Sequence, residues 1–124
     1  MNKILTILTI LVISIGFLFI PDQKTSGKEF KKTITINKII YNDKGFSPAV
    51  IKIRKGTMIT FINQSSNILW VGSNPHPQHT DYPEFDSLKG IRKGDKYQFT
   101  FKKNGDWGYH NHLKPLHKGK IIAY

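Results

Sequence analysis

Between Lys96 and Lys102 every second residue is apolar: Tyr97, Phe99 and Phe101 alternate with Lys96, Gln98, Thr100 and Lys102. Successive strand side chains point to opposite faces, so this is the pattern of a strand with one buried face. The texture recurs along the chain. Ile51 and Ile53 alternate with Lys52 and Arg54, and Ile59 and Phe61 share a face within Thr57–Asn63. Thr33–Asn37 with Ile39–Tyr41, a short apolar run Ile68–Val71, Trp107–Asn111 and a closing Gly119–Tyr124 read as further strands. Asn42–Gly45, Lys55–Gly56 and Lys103–Asp106 punctuate them as turns. No helical period is sustained after the N-terminal segment. The fold class is therefore all-β, a sandwich of about seven or eight strands.

The 124 residues suit one domain. The first stretch stands apart from it. Lys3 precedes an uncharged apolar run, Ile4–Ile20, closed by Pro21 and Asp22. A basic start followed by a long apolar core is the layout of a secretory signal, and the run also reaches the lower limit for a spanning helix. Residues 1–21 are read as a signal peptide or an uncleaved N-terminal membrane-anchor helix, residues 22–29 as a polar linker, and residues 30–124 as the β domain. Lys24, Lys28, Lys31 and Lys32 run against export under the positive-inside rule, but the apolar run carries the reading. The domain is expected outside the cytoplasm: periplasmic, on the cell surface or secreted, with membrane association through residues 4–20 where the segment is kept.

Nineteen Lys and Arg against eight Asp and Glu give a formal net charge of +11. The lysines are scattered, the only arginines are Arg54 and Arg92, and no basic helix or Gly-Lys-aromatic motif occurs. That argues against nucleic acid and for anionic lipid, cell wall or an acidic protein partner. There is no cysteine. The fold must be stable without disulfides, and any metal must be held by nitrogen and oxygen.

The histidines are where chemistry concentrates. His76 and His79 lie in Asn-Pro-His-Pro-Gln-His, His110 and His112 in Tyr-His-Asn-His, and His117 follows. Neutral imidazole is the commonest side-chain metal ligand at physiological pH. Pro75 and Pro77 restrict the backbone around His76, so less entropy is lost on ligation. On a strand, Trp107, Tyr109 and Asn111 would face the core while His110 and His112 project together from the other face as a bidentate clip. His76, His79, His110 and His112 are thus the candidate ligands of one site, with His117 a weaker fifth. By the Irving–Williams order imidazole sites prefer copper, with zinc second. The segment Gly72–Asp95 has little strand pattern, and long irregular segments in compact domains are usually functional. The site is expected there and in a loop after Asn111. Asp81, Glu84 and Asp86 could orient a histidine or serve as solvated charges, whereas Trp70, Trp107 and Tyr109 are read as core.

The order of motifs resembles the cupredoxin family, most closely its plastocyanin and amicyanin branch. It runs from Gly45-Phe-Ser-Pro through Ile53-Arg-Lys-Gly-Thr-Met-Ile-Thr-Phe-Ile-Asn and a Pro-His loop. It continues through Gly94-Asp-Lys-Tyr-Gln-Phe-Thr-Phe to Gly105-Asp-Trp-Gly-Tyr-His-Asn-His-Leu-Lys-Pro-Leu-His. The resemblance implies a two-sheet Greek-key sandwich over about residues 33–124, with copper at one end. It also implies that the ligand cysteine of the family falls at Asn111, a second histidine at Lys114 and the axial methionine at His117, so the standard blue electron-transfer site is not expected. His-Asn-His is also similar to the His-Cys-His of multicopper oxidases. The stretch His76–Asp86 is similar to a loop of cysteine-lacking cupredoxin-like proteins from exported microbial chains.

Three functions follow from these readings. The first is an exported copper-binding module for copper binding, delivery or redox, with an acidic redox or delivery protein as partner. The second is a small copper-dependent oxidoreductase, for which the sequence names no substrate pocket. The third is a metal-free cell-surface interaction domain. A binding module is favoured over an enzyme.

Overall fold

The computed structural model describes residues 37–124. The apolar N-terminal segment, the linker and the strand expected at Thr33–Asn37, except Asn37 itself, lie outside the described residues. Among the described residues there are eight strands: β1 (Lys38–Asn42), β2 (Gly45–Ser47), β3 (Val50–Ile53), β4 (Met58–Asn63), β5 (Val71–Ser73), β6 (Lys96–Thr100), β7 (Gly105–Asn111) and β8 (Lys114–Ala123). They form two four-stranded sheets, ordered β2-β1-β4-β6 and β3-β8-β7-β5. β1 runs parallel to β4 and β3 parallel to β8; the other pairs are antiparallel. This is the expected all-β sandwich.

Alternation puts the core between the sheets. Ile39 and Tyr41 of β1, Ile51 and Ile53 of β3, Ile59 and Phe61 of β4, and Tyr109 of β7 are all buried. The irregular segment between β5 and β6 also contributes to the core. Tyr82 packs on Phe99 and Trp107, and Phe85 on Phe61, Phe99, Phe101 and Tyr109. Full burial of such a side chain contributes about 1.5–3 kcal/mol. The loop is therefore tethered from inside, which fixes the positions of its polar residues.

Two elements differ from the sequence reading. The closing strand starts at Lys114, not Gly119, and the loop expected after Asn111 is a two-residue turn, His112–Leu113. The first half of β8 alternates half-buried and exposed residues with its one aliphatic side chain, Leu116, on the exposed side, and its pairing shifts register between His110 and Asn111. A bulge accommodates Pro115 there, which is why no strand pattern was visible. The short apolar strand expected at Ile68–Val71 begins instead at Val71, where pairing with Asn111 starts; Leu69 makes only an isolated bridge to Ile91.

Candidate metal centre

In β7 the core-facing Tyr109 and Asn111 leave His110 on the outer face of the second sheet. Gly72 of β5 and Lys118 of β8 are its cross-strand neighbours. The segment after β5 folds back over this face. Asn74 N–H donates to the Gly108 carbonyl, His79 N–H to Pro75 O and Asp81 N–H to Asn74 O, while the Ser73 hydroxyl donates to the carbonyls of His79 or Tyr82. His79 adopts a left-handed φ of 56° at the end of this turn.

Two glycines make the fold-back possible. A Cβ on Gly72 would lie 2.4 Å from the His79 ring, and one on Gly108 would lie 2.3 Å from the Asn74 amide. The ring and the amide each occupy space that a Cβ on the facing glycine would fill. These glycines shape the cluster and the sequence reading missed them; glycine on the same face of two adjacent strands was the available signal.

All four predicted histidines meet here. His76 Nδ1 lies 3.2 Å from His110 Nε2, and His112 Nδ1 lies 3.1 Å from His79 Nε2. One ring nitrogen from each of the four falls within 4.8 Å of every other. The outer nitrogens of two rings are already engaged. His79 Nδ1 donates to Asp86 Oδ2 at 2.5 Å, and His110 Nδ1 donates to Asn74 Oδ1 at 3.1 Å. A carboxylate only accepts, so His79 carries its proton on Nδ1 and turns a lone pair inward from Nε2. The same holds for His110.

A tetrahedral ion with metal–nitrogen bonds of about 2.0–2.1 Å places its ligand atoms about 3.3 Å apart. The two closest pairs already approach that spacing, and every other pair lies within 4.8 Å. The donor set of four imidazole nitrogens fits copper or zinc.

Charge supports the same arrangement. Burial, reinforced by His79, His76, His112 and Lys118, pushes the His110 imidazolium down to about 4. Burial, then His79 and His76, also lowers His112, against a smaller opposing pull from Asp86. Both rings are thus held neutral with lone pairs at neutral pH. Burial alone would favour protonated Asp86, but donors at the Leu88 amide, His79 and the Trp70 indole prevail and keep it an anion.

Of the loop acids, only Asp86 touches a histidine. Glu84 pairs with Lys103 at the surface and Asp81 is exposed. Trp70, expected in the core, is half-buried instead: its ring lies 5.0 Å from that of His112 and its Nε1–H donates to Asp86 at 2.7 Å. It forms a wall of the cluster. Trp107 is half-buried at the core edge, and Tyr109 is fully buried as expected.

His117 stands elsewhere. Its Nδ1 accepts from the Tyr41 hydroxyl at 2.9 Å, and Tyr41 in turn accepts from Asn111 Nδ2 at 2.9 Å. Asn111 Oδ1 accepts from the Trp70 and Leu113 amides. The positions that the resemblance gives to a cysteine and a methionine are therefore close together, between the sheets, but joined by a saturated hydrogen-bond network. The four-histidine cluster lies on the other side of the second sheet.

The profile of the cupredoxin-like domain matches residues 9–123 of this chain. Among solved structures the chain is similar to a purple cupredoxin from Nitrosopumilus maritimus, with a TM-score of 0.61 at 20% identity, covering 70% of this chain and 98% of the other. It is similar to a copper-containing nitrite reductase from Thermus scotoductus SA-01, with a TM-score of 0.59 at 22% identity, covering 73% of this chain but 22% of the reductase. It is also similar to a reduced mutant of amicyanin, with a TM-score of 0.58 at 18% identity, covering 74% of this chain and 87% of amicyanin. No curated protein sequence matches.

Proposed function

This chain belongs to the cupredoxin-like domain family, and on that footing we propose that it binds one copper ion through His76, His79, His110 and His112. Zinc is the second choice. The observation that carries the reading is the convergence of four imidazole nitrogens within 4.8 Å, drawn from two separate segments. Two of those rings are held by outer hydrogen bonds that leave their inner nitrogens free to ligate. Four neutral nitrogen donors without a thiolate suit copper(II) in a colour-poor site, not a blue one. The protein is a copper carrier or redox module outside the cytoplasm, delivered there by its apolar N-terminal segment, and an acidic protein partner suits its net charge of +11.

The test is metal titration of the purified chain with absorption and electron paramagnetic resonance. One copper(II) per chain is expected, with a nitrogen-rich spectrum. His76→Ala with His79→Ala, and His110→Ala with His112→Ala, should each abolish tight binding. A double variant that keeps wild-type affinity and stoichiometry would refute the four-histidine site.

A further inference from the structure

One flank of the histidine cluster is open. A cavity of about 370 Å³ lies against His76 and His110, with Pro75, Pro115, Leu116 and Lys118 among its other walls. Lys118 is the direct cross-strand partner of His110 in the β7–β8 ladder, so both side chains rise from the same outer face. Directly opposed residues on one face have their Cβ atoms about 4.5–5.5 Å apart. Among the described residues the ion pairs made by lysine involve Lys103 and Lys120, not Lys118.

The charge at this flank is unbalanced. Four neutral imidazoles contribute nothing to offset a divalent ion, and Lys118 adds a further positive charge. Among the described residues the one carboxylate in contact with the cluster, Asp86, bonds His79 and Trp70, neither of which borders the cavity. Opposite charges attract strongly across a partly desolvated gap. A cavity with a metal-binding edge, an unpaired ammonium and walls of proline and leucine suits a small anion with a short apolar tail.

Building on the copper reading above, we infer that this cavity is an anion site that gives a small organic carboxylate direct access to the metal, between Lys118 and the His76–His110 edge. Lys118 binds the anion and does not hold the metal. The carboxylate supplies the missing negative charge and its tail lies along Pro75, Pro115 and Leu116.

The test uses the copper(II)-loaded full chain. Azide is titrated in, its ligand-to-metal absorption is followed, and benzoate is added as competitor. Saturable azide binding displaced by benzoate is expected. Lys118→Met should weaken it about tenfold, the effect of one unit charge a few ångströms away in a partly solvated site. Lys118→Arg should restore it. Lys96→Met, on the other sheet, should leave it unchanged, and chelator competition should show one copper per chain in all these variants, with Lys118→Met holding it no more weakly than the parent, since removing a nearby positive charge cannot weaken a cation site. Absence of a saturable azide band, equal azide affinity in Lys118→Met, or an equal loss in Lys96→Met overturns the inference while the copper site stands. A chain that takes up no copper overturns the proposed function, and this inference with it.

Discussion

Replacing Asp86 by Asn and by Ala should affect stability and metal affinity in opposite orders. The Asp86 carboxylate accepts three hydrogen bonds: the Leu88 amide at 2.8 Å and the Trp70 indole at 2.7 Å on Oδ1, and His79 Nδ1 at 2.5 Å on Oδ2. In Asp86→Asn the amide oxygen can keep the first two. Its NH₂ then faces His79 Nδ1, where donor would meet donor. His79 resolves this by moving its proton to Nε2, which points that N–H into the cluster and removes a ligand. Restoring the ligand means breaking the new bond or turning the amide against Trp70 and Leu88. Loss of such an outer partner costs about 10- to 100-fold in metal affinity, or about 1.4–2.7 kcal/mol. Asp86→Ala forces no tautomer, because water can serve Nδ1. It should therefore bind copper more tightly than Asp86→Asn while being the less stable fold, having lost all three bonds at about 1.5–3 kcal/mol each for a charged acceptor. Chelator competition reads the affinity and urea unfolding of the metal-free chain reads the stability. Wild-type affinity in Asp86→Asn, or the same ranking in both assays, would refute the tautomer argument.

Three further outcomes are expected. Gly72→Ala places a methyl group 2.4 Å from the His79 ring, so copper affinity should fall sharply while the sandwich remains; unchanged affinity in a titration would show that the ring has room. His110 titrates near 4 when folded, against about 6.5 unfolded, so between these values the unfolded chain binds more protons. Stability of the metal-free chain should accordingly be fully present above about pH 6.5 and be lost as pH falls toward 4, by up to about 3 kcal/mol; His110→Gln should flatten that slope in urea titrations at stepped pH. Asn111→Cys should not yield a blue centre, because Lys114 lies exposed at the start of β8 and His117 Nδ1 is bonded to Tyr41. It should instead destabilise the fold by about 1–3 kcal/mol for each buried amide left unpaired; an intense blue band on copper addition would contradict this.

Much of this molecule was legible from the chain because the physics involved is local. Period-two alternation marks β3, β4 and β6 within a few residues, and it also separates Asn111 from its two histidine neighbours: Asn111 is buried between the sheets, while His110 and His112 belong to the cluster. Elements whose pairing rests on long-range contacts stayed hidden. The first half of β8 carries no apolar alternation and passes through a bulge, so only its partner β7 reveals it as a strand. Trp70 read as core because its hydropathy is the same wherever its indole finds a partner; the acceptor, Asp86, lies 16 residues away. Asp86 itself was one of three equivalent loop acids until Phe85, packed in the core beside it, fixed where it could point.

The position of the cluster follows from the same local rules. Once Asn111 takes the core-facing place, its amide can satisfy Tyr41, Trp70 and Leu113 at once, and a metal there would have to break a saturated network. His110, one residue back on the strand, then faces outward, and His112 opens the turn beside it. A metal site using His110 and His112 must then be built on the outer sheet face, and it needs a second layer to supply ligands and exclude water. The fold-back over Gly72 and Gly108 is that layer: it brings His76 and His79, it is pinned to the core by Tyr82 and Phe85, and it carries Asp86. The strand face and the loop therefore depend on one another, since neither alone brings four imidazole nitrogens together.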